Sequence, residues 1–272
     1  MKKIVFLLLV MAVPACSGDS TGSRPSLAGQ WIYRMRASTA GSFPVFCYVV
    51  GSVRLTGSGD SFSGRMPVAE ASCGTDAVGQ SFDSTTTLTA RVEGDSVLLT
   101  LRAGIYEFHQ TARLLGDSLA GRQPGDPFGK SAARRYPDSV PLDRANVRLT
   151  GAVTRTVELY GRDASNGLQL ISVARDEVVF LRPPSSSLPG FAVGMYAVGS
   201  SGAPLFGTYQ RFSGGMVDPF VRFTGGTVTI TQADAQLGRG TIDVTGVLNE
   251  GTEQVRLQAD FTNHRSGYPD GS

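Results

Sequence analysis

Leu88-Thr89-Ala90-Arg91-Val92-Glu93-Gly94-Asp95-Ser96-Val97-Leu98-Leu99-Thr100-Leu101 decides the fold of this chain. Apolar and polar residues alternate on either side of Gly94-Asp95, and a Gly-Asp pair suits the two-residue hairpin turns of the mirror-image types, because glycine accepts positive φ without steric cost. With Gly94-Asp95 as the loop, Glu93 faces Ser96 and Val92 faces Val97. Alternation then puts Leu88, Ala90, Val92, Val97, Leu99 and Leu101 on one side of the hairpin. The tripeptide recurs as Gly59-Asp60-Ser61 and Gly116-Asp117-Ser118. The same register sets Leu114 opposite Leu119, Val53 opposite Met66 and Leu55 opposite Gly64. A one-residue slip would turn each apolar set outward, so agreement at three turns specifies an antiparallel meander.

Strands expected near 30–37 and 45–56 bring the first domain to about seven or eight, with no sustained helical period. A twisted sheet of that size with one apolar face closes into a barrel or folds into a sandwich. Ten inward positions follow from the register: Val53, Leu55, Phe62, Leu88, Val92, Val97, Leu99, Leu101, Tyr106 and Phe108. Leu27-Ala28-Gly29-Gln30-Trp31 holds the only tryptophan and stands where the first strand begins. This Gly-x-Trp followed by a meander resembles the start of lipocalin-like (calycin) barrels. The resemblance covers the first domain, and implies that Trp31 closes one barrel end beneath a basic side chain from a late strand, for which Arg113 and Arg122 are the candidates.

At the N-terminus, Lys2 and Lys3 precede an apolar run from Ile4 to Val13 and then Pro14-Ala15-Cys16. A basic start, a short apolar core and small residues before a cleavage point make an export signal, and the run is too short for a bilayer, which takes roughly 20 residues. With a cysteine directly after the cleavage point, the segment resembles a bacterial lipoprotein signal, which implies acylation of Cys16. Ser17 in place of aspartate implies the outer membrane of a Gram-negative cell. Acylation leaves Cys47 and Cys73 as an even pair in an oxidising compartment, expected to form a disulfide. Plain secretion, also compatible with Val13-x-Ala15, would leave an odd cysteine.

The expected organisation is a signal at 1–15, a lipidated tether at 16–26, a lipocalin-like barrel at 27–122, a Pro-rich linker at 123–144, a β-sandwich-like domain at 145–265 and a tail at 266–272. Small, polar residues from Ser17 to Ser26 make the tether, and Pro124, Pro127, Pro137 and Pro141 mark the linker. In the second domain, Asn166-Gly167 separates two strand-like runs, and strands are expected at Val178–Leu181, Thr227–Thr231, Thr241–Leu248 and Gln254–Phe261. Phe223 to Thr231, preceded by Gly194-Met195-Tyr196-Ala197-Val198-Gly199, resembles an uncharacterised β domain of secreted bacterial lipoproteins, a resemblance that implies no chemistry.

Removing Lys2 and Lys3 leaves basic and acidic residues equal at 23 each, so no field draws nucleic acid or an anionic surface. Gly125-Asp126-Pro127-Phe128-Gly129-Lys130-Ser131 ends like a phosphate loop, but the position for its first glycine is Pro124 and no strand–helix context surrounds it. Of the two histidines, His109 shares an outer face with Glu107, too few ligands for zinc, and His264, beside Arg265 at the edge of the tail, is expected to be exposed. Neither a catalytic triad nor a cofactor or metal site is expected.

The leading expectation is therefore a non-enzymatic, lipid-anchored envelope protein whose first barrel takes a small apolar ligand against Trp31, Leu55, Phe62, Leu88, Leu99, Leu101, Tyr106 and Phe108. The alternative is an interaction or scaffold protein with filled β domains that contacts other envelope proteins. A glycan-directed or hydrolytic enzyme ranks third, since it needs carboxylates or a metal site assembled by folding. A cavity inside the first barrel separates the first two.

Overall fold

A computed structural model describes residues 26–38, 46–67, 69–73, 86–126, 129–164, 167–183, 192–199, 202–234 and 237–264. The expected signal, Cys16, nearly all of the tether and the tail lie outside them. Among the described residues no helix is long and apolar enough to cross a membrane.

The chain is all-β. Its first nine strands are β1 (Gly29–Ser38), β2 (Phe46–Ser58), β3 (Ser61–Arg65), β4 (Glu70–Cys73), β5 (Thr87–Glu93), β6 (Ser96–Ala103), β7 (Tyr106–Leu115), β8 (Ser118–Arg122) and β9 (Lys130–Tyr136). Each pairs antiparallel with its neighbours, and β1 pairs with both β2 and β9, so eight strands close into a barrel while β4 adds to β2 from outside. Closure removes the open edges that an eight-stranded sheet would present.

The hairpin registers follow the alternation. Val92 faces Val97, Leu114 faces Leu119, and Ser58 faces Ser61 in the frame that sets Leu55 against Gly64. Gly59, Gly94 and Gly116 have φ near +60°, at 63°, 59° and 61°, the left-handed value required at the first position of a type II′ loop. Leu88, Val92, Val97, Leu99, Leu101 and Phe108 turn inward to join Trp31, Tyr33, Met35, Val53, Leu55 and Phe62 in one core.

Two expectations of strand placement in the first barrel change. The segment read as a linker at 123–144 contains β9, the strand that closes the first barrel; its prolines stand outside that strand, and Ser131, Ala133 and Arg135 alternate inward like any other staves. The segment from Glu70 to Asp76, read as irregular, begins with β4, which sets Cys73 directly opposite Cys47.

The second unit comprises β10 (Ala145–Gly151), β11 (Arg155–Ala164), β12 (Gly167–Ile171), β13 (Glu177–Arg182), β14 (Gly194–Ala197), β15 (Phe206–Ser213), β16 (Met216–Ala233), β17 (Leu237–Leu248) and β18 (Gln254–His264). A sandwich is expected, but this unit is a second closed barrel. β16 pairs with β15 on one side and β17 on the other, β18 pairs with β17 and β10, and β14 is the added strand. The register of the long β16 against β17 shifts after Phe223 and after Ile230, and a bulge at such a point increases the local twist of a strand. Val228 and Ile230 face the interior with Leu149, Leu159, Val179, Tyr209, Phe223, Val244 and Leu257.

The alternation generates a direct test. Adjacent residues Leu98 and Leu99 differ only in the face they occupy, at 36% and 1% exposure. Replacing Leu99 with alanine is expected to cost about 2–5 kcal/mol, and Leu98→Ala no more than roughly 0.5 kcal/mol, as measured by denaturant unfolding. Equal losses at the two positions would contradict the register.

Candidate functional site

The two ends of the first barrel are built differently. At the end where the chain enters, the Trp31 indole N–H donates to the Leu27 carbonyl at 2.9 Å, and the ring lies 4.7 Å from the Arg135 guanidinium carbon. That arrangement is a cation–π contact on a buried ring. Arg135, rather than Arg113 or Arg122, takes the part of the basic side chain. The reason is register: closure of β9 onto β1 sets Arg135 directly opposite Trp31, whereas Arg113 and Arg122 face outward into solvent. Arg135 also donates to the Ser26 carbonyl, and its own N–H donates to the Asp117 carbonyl at 2.7 Å. One residue therefore ties the plug to the β7–β8 turn.

The eight residues expected to face a ligand share the core of this barrel. Trp31, Leu55, Phe62, Leu88, Leu99, Leu101 and Phe108 are buried in contact with one another, and Tyr106, half-buried, stacks on Phe108 with ring centroids 6.3 Å apart. Farther along the interior, the Tyr33 hydroxyl donates to Gln110 Oε1 at 2.8 Å. Burial pushes the Tyr33 hydroxyl well above the ordinary phenol range, so it stays a donor.

Three clefts lie on the outer surfaces. One of about 500 Å³ crosses the outer face of β2, β3, β5 and β6, one of about 550 Å³ sits between the Gly94 and Gly116 turns beside Val92, Val97 and Leu114, and one of about 460 Å³ lies over β10, β17 and β18.

The polar centre of the molecule is the junction of the barrels. The outer face of β1, formed by Gln30, Ile32 and Arg34, is buried although its inner face already fills the first barrel. Ile32 packs with Tyr136, Leu142 and Leu237. Gln30 Nε2 donates to the Pro137 and Val140 carbonyls at 3.2 and 3.0 Å, holding the connection against β1.

At its centre stands Asp143. Its Oδ2 accepts the Ser52 N–H of β2 at 3.0 Å and lies 2.8 Å from His264 Nδ1 of β18, while its carbonyl accepts the Gly161 N–H at 3.0 Å. To reach all three, Asp143 takes a left-handed backbone with φ of 52°, a conformation that aspartate tolerates better than most residues. Gly161 leaves room for the crossing, since a Cβ there would stand 2.4 Å from the Thr262 carbonyl. Asp143 and His264 are both buried, at 1% and 0% exposure. This corrects the expectation of an exposed His264: pairing of β18 with β11 and β17 continues to that residue and carries it to the junction with the first barrel. Burial and the charge of Asp234 raise the neighbouring Tyr136 hydroxyl above its ordinary pKa, against the opposing pull of Arg134 and Arg34.

A second buried carboxylate closes one end of the second barrel. Glu177 faces inward, pairs with Arg155, and accepts the Tyr209 hydroxyl at 3.1 Å. Burial first, and then the charge of Glu177, hold Tyr209 protonated far above the ordinary range. Neither Asp143 nor Glu177 is visible as a site in the sequence, for each is one acid among many beside turns. His109 and Glu107 lie 3.1 Å apart on the outer face with Arg102. Among the described residues, no group of three or more His, Cys, Asp or Glu side chains could hold a metal ion. Gly125, Asp126 and Gly129 of the phosphate-loop lookalike belong to the β8–β9 connection, where Asp126 Oδ2 accepts the Ser38 N–H and hydroxyl at 2.7 and 2.8 Å.

No family model and no curated protein matches the chain. Among solved structures, that of kievitone hydratase from Nectria haematococca aligns over 87% of this chain and 90% of that chain at 9% identity, with a TM-score of 0.19. A likeness that slight carries no argument about activity.

Asp143→Ala is expected to cost about 3–5 kcal/mol by removing the carboxylate that joins the buried His264 to Ser52. Because the same carboxylate binds Ser52, calorimetry should also show one cooperative transition resolving into two as the barrels uncouple. A single transition at the wild-type temperature would remove Asp143 from this role.

Proposed function

We propose that the chain is an exported, lipid-anchored envelope protein, non-enzymatic, whose two filled barrels form a rigid module that contacts other envelope components through outer faces and turns. The observation that carries this reading is the packing of the first barrel. Trp31, Tyr33, Met35, Leu55, Leu88, Leu99 and Phe108 occupy its interior and are almost wholly shielded from solvent. A barrel of eight strands is just wide enough for its own side chains. The buried ionisable groups Asp143, His264 and Glu177 support it, since they bond across strands and between barrels, as structural polar groups do.

A small apolar ligand remains a second reading on one observation: the cleft of about 550 Å³ between the Gly94 and Gly116 turns is walled by Val92, Val97, Leu114 and Leu115. Titration with a polarity-sensitive naphthylamine dye separates the two. The filled-barrel reading expects no saturable binding to wild type. Saturable binding that Leu114→Arg abolishes would establish the ligand reading in its place.

Attachment is proposed through Cys16, and Cys47 with Cys73 is proposed to form a disulfide that fastens β4 to β2. Closing a loop of about 27 residues is worth on the order of 3 kcal/mol in the loop-entropy model. Intact mass of protein extracted from membranes reads both features. Expected are acyl chains on a chain beginning at Cys16, no alkylated cysteine before reduction and two after it. An unacylated N-terminus would overturn the anchor, and two alkylated cysteines before reduction would overturn the bridge.

A further inference from the structure

Where the barrels meet, beside the Asp143 junction, lies a cavity of about 120 Å³ whose polar wall is Gln30, Ser52, Arg54, Arg65, Arg144 and Tyr160. Arg54 and Arg65 come from β2 and β3 of the first barrel, while Arg144 directly precedes β10 of the second. Arginines from two separately closed barrels thus line one opening, and no carboxylate is among its lining residues. Arginine is charged at every accessible pH and carries five donors in a planar fork that matches the oxygens of a phosphate.

The charge balance around the cavity is uneven. Arg54 pairs with Asp138 at 3.2 Å and Arg144 with Glu158 at 3.4 Å, and both acids stand outside the cavity wall. One ion pair leaves most of the donors of each guanidinium available. Arg65 makes no ion pair with any described residue. At about 120 Å³ the space is large enough to admit a small tetrahedral oxyanion.

We propose that this inter-barrel cavity is a binding site for a phosphate group, held by Arg65 and Arg144 with Arg54 and the Tyr160 hydroxyl completing the donor set. A phosphate there touches both barrels, so its binding free energy adds to the stability of their arrangement. The phosphate can be free or can terminate a lipid headgroup; the recognising chemistry is the same.

The test uses the full chain purified in detergent, titrated with sodium phosphate against sodium chloride at matched ionic strength, with heat of binding and melting temperature as readouts. Wild type is expected to bind saturably and to melt higher as phosphate rises, while chloride leaves the melting temperature unchanged. Arg65→Gln and Arg144→Gln should each weaken binding about tenfold or more and melt as wild type without phosphate. Arg65→Lys should recover part of the loss, and Arg91→Gln, on the outer face of β5, should bind as wild type. Micelles doped with phosphatidic acid form the second arm. Saturation by free phosphate assigns a soluble ligand, and an Arg65-dependent response to phosphatidic acid alone assigns a headgroup. Absence of both responses, or titrations of Arg65→Gln that match wild type, would overturn the site.

Discussion

The pairing of β1 with β2 on one edge and β9 on the other is the constraint on which the structure rests. An antiparallel sheet with one apolar face must hide that face and its two unpaired edges, and closure does both at once. It also explains why Trp31 and Arg135 meet: they are register partners across the closing seam, so the plug at the barrel end forms only when the seam does. Because β1 also buries its outer face, with Ile32 against Tyr136, Leu142 and Leu237, the strand that closes the first barrel is the one that docks the second. Closure and docking are therefore linked through the two faces of ten residues.

Docking is polar at its centre and apolar around it. A carboxylate shared between Ser52 and His264 fixes direction, because hydrogen bonds specify angle as well as distance, and the surrounding Ile32 and Leu237 exclude water from them. In a low-dielectric setting such a network is strong when every member has its partner and costly when one is removed. The inter-barrel arrangement thus has a defined geometry, and the arginine-lined cavity beside it inherits that geometry.

Two barrels filled by their own side chains direct attention to their surfaces. The turns, the outer faces and the junction are also where most of the charged side chains stand. The second barrel repeats the scheme with different chemistry, ending in Glu177, Arg155 and Tyr209 where the first ends in Trp31 and Arg135. Each end is closed by an arginine that meets a partner inside, an aromatic ring in one case and a carboxylate in the other.

Much of the first barrel was legible in the chain itself. Leu88 to Leu101 around Gly94-Asp95 determines which residues face inward, because side-chain direction alternates with period two and the turn fixes the frame. The second barrel was legible as strands only: Val228 and Ile230 announce their inward face, but closure rests on β16 pairing with both β15 and β17, which an alternating pattern does not mark. Lys130–Tyr136 was hidden among prolines, and the partner of Trp31 could not be chosen among arginines without knowing which strand closes the seam. Asp143 and His264, 121 residues apart, carry no local pattern at all. Local alternation and turn chemistry act between neighbours in the chain and are written in the sequence; which strand meets which, and which charges are buried together, is set by contacts between distant segments, and only the tertiary structure decides them.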